Sequence, residues 1–152
     1  FIQCKLFAAR FTNATFEGVQ FSFCDFGSGN VDANFDNSKG NLTISHSSGG
    51  TLRITRISAP ITINIIKSTF RALRLECDHL SAECGVALVM DGSELHSLSF
   101  KKVHLKESHI SGTRISTFSD TNSHGKLIFD SAYFMDQVKK TKTTGDVQFM
   151  VG

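Results

Sequence analysis

The sequence predicts an all-β solenoid, a fold in which short repeats stack into a rod, and three observations support this prediction. Apolar residues recur at every fifth position in two blocks of the chain. In the first block the residue two places earlier is also small or apolar, whereas the residues in between are mostly polar. A spacing of five fits neither a helix, whose apolar face repeats every three to four residues, nor a strand, whose face repeats every two.

The two blocks occupy different parts of the chain. The first contains Leu6, Phe11, Phe16, Phe21, Phe26 and Val31. The second contains Ile65, Phe70, Leu75, Leu80, Gly85, Met90, Leu95, Phe100, Leu105, Ile110 and Ile115. A repeat this short cannot bury its apolar face alone, so neighbouring repeats must stack and share one core. We therefore expect ten of these side chains to be buried: Phe11, Phe16, Phe21, Phe26, Phe70, Leu75, Leu80, Phe100, Leu105 and Ile110.

The first block also has a regular unit. Its apolar residues are preceded, two places earlier, by Cys4, Ala9, Ala14, Val19, Cys24 and Gly29. Written in fives from Ala9, the chain reads ARFTN, ATFEG, VQFSF and CDFGS. This pattern resembles the pentapeptide-repeat family over residues 4–31. The resemblance implies a right-handed, four-sided β-helix with one pentapeptide per side and twenty residues per coil.

The resemblance is looser over residues 63–117. Two places before the apolar residues of this block, the side chain is large at Leu73, Leu88, Leu98 and Val103 and charged at Asp78 and Glu83. Between the blocks, residues 42–63 alternate like short strands about ten residues apart. Pro60 and five polar stretches predict irregular loops that interrupt the solenoid. These stretches are residues 27–30, 36–41, 45–51, 119–126 and 139–146.

We expect residues 1–152 to form a single solenoid domain that is a fragment of a longer chain, because Phe1 already lies inside a repeat. Residues 147–151 are expected to place a terminal strand over the last coil. No apolar run approaches the roughly 20 residues that a transmembrane helix needs. Cys4 and Cys24 at inward positions favour a reducing, cytoplasmic location. The glycosylation sequons at Asn13 and Asn41 are no more frequent than chance supplies.

A coil of twenty residues would place charges of opposite sign above one another at the strand spacing. It predicts a column of Arg74, Glu94 and Arg114, with Arg71 next to Asp91 and Glu76 next to His96. We interpret such pairs as structural, because exposed ion pairs stabilise a protein only weakly.

Metal binding and catalysis are not expected. Cys84 and His104 would stack one coil apart, with His109 on an adjacent face, but a third ligand is missing from this group. A disulfide between Cys77 and Cys84, seven residues apart, has no support from the pattern. Neither a nucleophile with its base nor a phosphate-binding loop is recognisable. We therefore predict no cofactor, no metal and no enzymatic activity.

The predicted binding face is an apolar strip. The twenty-residue frame turns Phe7, Phe23, Ile66, Val86 and Val89 outward. Ile66 and Val86 would then be neighbours, with Ala87 beside them and Lys67 and Lys106 at the border. The alternative is a pair of β-branched residues on a sheet surface or beneath a loop.

Charge limits the function classes. The 16 basic and 14 acidic residues give a net charge of +2. A DNA mimic of the kind the resemblance implies for inhibitors of DNA gyrase and topoisomerase needs a strongly acidic surface, and a nucleic-acid binder needs a basic stripe. The leading hypothesis is a non-enzymatic protein-interaction or scaffold module, for example one within a bacterial effector or membrane-anchored protein. Its partner would be another protein or a neighbouring domain, without nucleic acid or membrane insertion, and end-to-end homo-oligomers fit the same rod. The alternatives are the DNA mimic and, third, an enzyme acting on polysaccharide.

Overall fold

The computed structural model describes residues 1–6, 9–27 and 32–152. Phe7, Gly29 and Val31, to which the sequence analysis gave outward or inward positions, lie outside the described residues. The described part contains fourteen strands, one short α-helix and one 3₁₀ turn. The strands are β1 Arg10–Thr12, β2 Thr15–Ser22, β3 Asp32–Asp36, β4 Lys39–Ser45, β5 Ser48–Ile57, β6 Ile61–Ile66, β7 Thr69–Cys77, β8 Val86–Asp91, β9 Glu94–Lys101, β10 Leu105–Ser111, β11 Arg114–Thr121, β12 His124–Phe129, β13 Lys139–Thr143 and β14 Asp146–Val151. The 3₁₀ turn is Ala82–Cys84 and the helix, α1, is Ala132–Asp136.

The strands form a β-solenoid of about 6 turns, which confirms the predicted fold class. The odd-numbered strands make one parallel sheet and the even-numbered strands make the other, each with seven strands. Successive strands along the chain therefore alternate between the two sheets, and each strand pairs with the strand two places away in sequence. Because every pairing is parallel, the backbone hydrogen bonds run along the rod and join one coil to the next.

The core lies between the two sheets, and the five-residue spacing predicts most of it. Of the ten residues expected to be buried, eight have at most 5% of their surface exposed: Phe16, Phe21, Phe26, Phe70, Leu75, Phe100, Leu105 and Ile110. Phe11 is half-buried and stacks on Phe35, with ring centroids 4.9 Å apart. For Leu80 the prediction is wrong, because 45% of its surface is exposed.

Leu80 lies in the longest connection from an odd to an even strand. Residues 78–85 join β7 to β8, whereas the other described connections of this kind have two or three residues. The coil that contains this segment is correspondingly longer: Phe70 pairs with Leu95, 25 residues away, but Leu95 pairs with Ile115, 20 residues away. We call residues 78–85 the insertion. Because it adds five residues, it leaves the five-residue spacing intact while shifting the alignment of neighbouring coils.

The shifted alignment changes the predicted charge column. Arg114 does pair with Glu94, at 4.0 Å between Nη1 and Oε1. Arg74, however, lies opposite Ser99, and Glu94 lies opposite Thr69. The predicted contact between Arg74 and Glu94 is therefore wrong.

Two further predicted pairs are also replaced. Glu76 accepts a 2.8 Å contact from Lys101 Nζ instead of facing His96. Arg71 Nη2 donates to Thr51 Oγ1 at 3.4 Å, while Asp91 pairs with Ile66 and Ser111. All of these changes follow from the 25-residue spacing between β7 and β9.

Buried hydroxyls join the coils at the turns from even to odd strands. The N–H of Ser47 donates to Ser68 Oγ, that of Ser68 to Ser93 Oγ, and that of Ser93 to Thr113 Oγ1, each at 3.1 Å. The residue before each of the four has a positive φ, as at Lys67 with 45° and Gly92 with 56°. The resulting turn aims an N–H along the rod, and the hydroxyl of the next coil accepts it. We call this column the hydroxyl ladder.

Several predicted loops are mostly strand. Strands β4, β5, β11, β12 and β13 cover much of the stretches predicted as interruptions. Polar, Gly-rich and Lys-rich segments can join a solenoid because neighbouring coils supply backbone partners whatever the side chain. The terminal strand predicted over residues 147–151 is confirmed as β14, which pairs with β12.

Among the described residues, no helix is long and apolar enough to cross a membrane.

Candidate binding cleft

The apolar strip predicted around Ile66 and Val86 is not formed. Val86 is fully buried and pairs with Ile61 and Leu105, because it begins β8 on the inward side. Ile66 pairs instead with Ser45 and Asp91. Val86 is inward because it alternates with the inward Leu88 and Met90 along β8. The insertion separates it from Ile66, since it places residues 25 apart in neighbouring positions where the sequence suggested 20.

The three remaining residues of the predicted face are also separated. Ala87 and Lys106 do pair with each other on the outer side of the even-strand sheet. The stem of Lys106 passes over Gly85 so closely that a Cβ there would require the Lys106 side chain to move. Lys67 lies at a turn, where its N–H donates to the Asp91 carbonyl at 2.7 Å. These five residues therefore do not make one contact surface.

The two other outward apolar residues that the structure describes have local partners. Phe23 is 57% exposed, and its ring stacks on His46 with centroids 4.8 Å apart. Val89 is half-buried on the outer side of β8, between Asn64 and His109. Neither residue continues the strip that was predicted at Ile66.

A concave surface of another kind, an open cleft, lies beside the insertion. Its volume is about 780 Å³. It is lined by residues 78–80, Lys102, 122–124 and 144–146. The insertion forms one wall, and the three successive turns that follow β9, β11 and β13 form the floor. We call this surface the cleft.

The wall of the cleft is a short, internally capped segment. Ser81 accepts the N–H of Glu83 through its Oγ at 3.1 Å and so begins the 3₁₀ turn. Ahead of this turn, Asp78, His79 and Leu80 line the cleft. The exposed Leu80 therefore gives an otherwise polar surface an apolar contact point.

The floor is rigid because its turns are hydrogen-bonded to one another. Lys102 donates its N–H to Thr121 O at 2.8 Å, and Asn122 donates its N–H to Thr144 Oγ1 at 3.2 Å. Both residues have a positive φ, at 54° and 52°. Their side chains are thereby presented one coil apart on the same edge of the rod.

Asp120 holds two of these turns together from inside. Its side chain is buried, and its Oδ1 accepts the Ser123 N–H while its Oδ2 accepts the Gly145 N–H, both at 2.8 Å. A Cβ at Gly145 would collide with the Ser123 carbonyl, so this close approach requires glycine. Sequence analysis did not identify Asp120, because a single acid at the end of a strand carries no local signal of burial.

A histidine pair borders the floor. His104 Nδ1 and His124 Nε2 are hydrogen-bonded, and the ring centroids are 4.4 Å apart. Burial, the adjacent His124 and the charge of Lys106 lower the pKa of His104. The predicted stacking of Cys84 on His104 is not observed, because the Cys84 thiol donates to the Ser58 carbonyl at 3.0 Å. His109 lies elsewhere, between Val89 and Ile128.

The cleft offers groups of both charges and one apolar contact. Lys102, His79 and His124 can donate hydrogen bonds, while Asp78 and Asp146 can accept them. In the part of the chain that the structure describes, no three His, Cys, Asp or Glu side chains are grouped so that they could hold a metal ion. The arrangement suits a ligand with polar groups on both sides of an apolar one, as in a polypeptide segment.

Comparison with protein-family models gave no match. Neither curated proteins nor solved structures gave a significant match either. The β-solenoid itself is therefore established by the strand pairing described above.

Proposed function

We propose that this chain is a non-enzymatic protein-interaction module that binds an extended polypeptide segment of a partner protein in the cleft. The observation that carries the proposal is the insertion, the longest described connection from an odd to an even strand, which builds a wall against three stacked turns. Functional residues concentrate in such loops on rigid scaffolds, because the scaffold bears the cost of ordering them.

The chemistry of the cleft supports a peptide ligand. A binding surface of this kind needs an apolar anchor with polar groups at its rim. Leu80 is the exposed apolar residue of the cleft, and Lys102 and Asp146 are among the polar residues that line the same cleft. The two signs of charge fit a segment of mixed charge better than they fit the uniformly charged surface of a nucleic acid.

The proposal extends to the kind of solenoid. We infer that the first coils are of the pentapeptide-repeat type. Phe16, Phe21 and Phe26, five residues apart, are all buried, and the rings of Phe21 and Phe26 are 5.5 Å apart at their centroids. This supports a side of five residues with one large apolar residue directed inward.

The test is selection from a random-peptide display library against the folded chain, followed by affinity measurement with the enriched peptides. We expect peptides that carry an apolar residue flanked by charges, and at least a tenfold loss of affinity for Leu80→Asp. Met150→Asp is the matched control, because Met150 has similar exposure, 42%, and lies on β14 four residues beyond the cleft residue Asp146. Enrichment of no peptide, or binding that Met150→Asp weakens and Leu80→Asp does not, would overturn the proposal.

A further inference from the structure

We propose that Cys77 and Cys84 form a reversible intramolecular disulfide by exchange with a small-molecule disulfide such as glutathione disulfide, and that this bond fixes the wall of the cleft. The inference concerns modification of the insertion and does not depend on what the cleft binds.

The two cysteines stand at the ends of the segment that forms the wall. Cys77 is the last residue of β7, and Cys84 is the last residue of the 3₁₀ turn. Although 78–83 separate them, the chain folds back so that Cys77 Sγ lies 3.9 Å from the carbonyl oxygen of Cys84. Cys77 is buried and Cys84 is half-buried. A bond between them would close a short loop with Leu80 at its centre.

The Cys84 thiol has two alternative partners. In the reduced protein it donates to the Ser58 carbonyl at 3.0 Å, which ties the insertion to the connection between β5 and β6. Rotation of this side chain toward Cys77 would break that hydrogen bond and tie the insertion to β7 instead. Oxidation thus exchanges a weak thiol hydrogen bond for a covalent link, and the wall is held from a different side.

The different exposure of the two thiols sets the order of the reaction. The Cys84 thiolate attacks one sulfur of glutathione disulfide, forms a mixed disulfide and releases one glutathione thiolate. The Cys77 thiolate then attacks the Cys84 sulfur, forms the protein disulfide and releases the second glutathione. Two electrons pass from the protein dithiol to glutathione disulfide, and the two thiol protons end on the two glutathione molecules.

The second step is expected to be slow at neutral pH. Burial, together with the nearby Cys84, raises the pKa of Cys77 to about 11, although the N–H of His104 opposes this effect. Only the thiolate attacks, so the rate of ring closure should increase about tenfold for each unit of pH between 7 and 9.

The chain contains its own comparison pair. Cys4 and Cys24 lie in adjacent coils, next to the paired residues Lys5 and Asp25. Their thiols point to separate carbonyls, Cys4 to Ile2 and Cys24 to Ser22, at 3.5 and 3.4 Å. The proposal therefore predicts which of two cysteine pairs becomes oxidised in the folded chain.

The test is incubation of the full chain with glutathione disulfide, followed by alkylation and peptide mapping without reduction. Trypsin leaves both cysteines in the peptide 75–101. Cleavage of this peptide after Glu76, Glu83 and Glu94 then places Cys77 in fragment 77–83 and Cys84 in fragment 84–94, which stay joined only by a disulfide. We expect this linked species in the native protein, its loss on reduction, and its absence in Cys84→Ser. Recovery of Cys84 only as the glutathione adduct at pH 9, or oxidation of Cys4 with Cys24 in its place, would overturn the proposal.

Proteolysis of the folded protein gives a second measurement. Chymotrypsin can cleave after the exposed Leu80, and the disulfide should slow this cleavage at least about fivefold relative to the reduced chain. Cys84→Ser should be cut at the reduced rate with and without glutathione disulfide. Should Cys84→Ser fail to fold, Cys84→Ala serves the same purpose. Equal cleavage of the oxidised and reduced native protein would contradict the claim that the bond fixes the wall.

Discussion

His104 and His124 are hydrogen-bonded to each other from neighbouring coils, with their ring centroids 4.4 Å apart. A hydrogen bond between two imidazoles requires that one ring nitrogen be an acceptor, so the pair cannot keep it when both rings are protonated. Lys106 and Lys102 add positive charge nearby, while Asp146 pairs with His124 in the next coil and Asp78 and His79 approach from the insertion.

Stability should therefore fall in acid. The lowered pKa of His104 means that the folded state favours the neutral ring more than the unfolded state does. The neutral ring therefore stabilises the fold above pH 6.5, the ordinary pKa, and this stabilisation is lost as the pH falls below that value. We expect Tm measured from pH 8 to pH 5 to decrease, and His104→Gln to reduce that decrease. His109→Gln, at an exposed position between Val89 and Ile128, should leave the profile unchanged. An identical profile for native protein and His104→Gln would contradict this prediction.

Removal of the Asp120 carboxylate should loosen the floor of the cleft. Asp120→Ala leaves the N–H groups of Ser123 and Gly145 without their acceptors, at a cost of about 3 kcal/mol. Asp120→Asn keeps one acceptor oxygen and should cost about half as much. Urea unfolding measures both, with Asp136→Ala on the exposed end of α1 as the control. A loss below 0.5 kcal/mol in Asp120→Ala would show that water replaces the carboxylate.

The hydroxyl ladder should contribute measurably to stability. Ser68→Ala removes the acceptor of the buried Ser47 N–H, so we expect a loss of about 1–2 kcal/mol. Ser68→Thr should restore most of it, because Thr113 performs the same role in a later coil. The matched control is Ser99→Ala. Ser99 is half-buried and accepts a hydrogen bond from the side-chain hydroxyl of Ser119, whereas Ser68 accepts one from a buried backbone N–H. Equal effects of Ser68→Ala and Ser99→Ala in denaturant titrations would argue against the ladder.

The protonation of Cys77 should couple to stability in base. Its pKa is raised from 9.0 to about 11, so the folded state favours the thiol, and stability is lost as the pH rises from 9 toward 11. For a buried thiol this rise in pKa corresponds to a loss of about 2–3 kcal/mol. Calorimetry under reducing conditions should show that the free energy of unfolding decreases less between pH 9 and pH 11 in Cys77→Ala than in the native protein. Matching decreases would attribute the effect to other groups.

Two phenylalanines two residues apart should respond differently to truncation. Phe21 is fully buried, so Phe21→Ala should cost about 3–5 kcal/mol through lost contacts and the cavity left behind. Phe23 is 57% exposed and stacks only on His46, so Phe23→Ala should cost less than about 1 kcal/mol. Similar losses in the two variants, measured by urea unfolding, would contradict the inward and outward assignment.

The sequence by itself determined the fold class and the inward face of most strands. A side chain such as Phe70 or Ile110 points inward because of its place within a repeat of five, and this is a local property that burial of apolar surface enforces. Apolar spacing therefore identified the core without knowledge of which coil follows which. The pairing of Arg114 with Glu94 was also predictable, because the coil between them has the regular twenty residues.

Only the tertiary structure decided the alignment between coils and, with it, the position of the cleft. Pairing between neighbouring coils depends on the length of each connection, and an insertion of five residues is invisible to a spacing of five. For this reason Leu80 satisfied the pattern while lying exposed, and Ile66 was expected beside Val86 but pairs with Asp91. A long-range contact also brought Asp120 to Gly145, and the path of the insertion brought Cys77 to Cys84; neither approach is encoded by the apolar spacing.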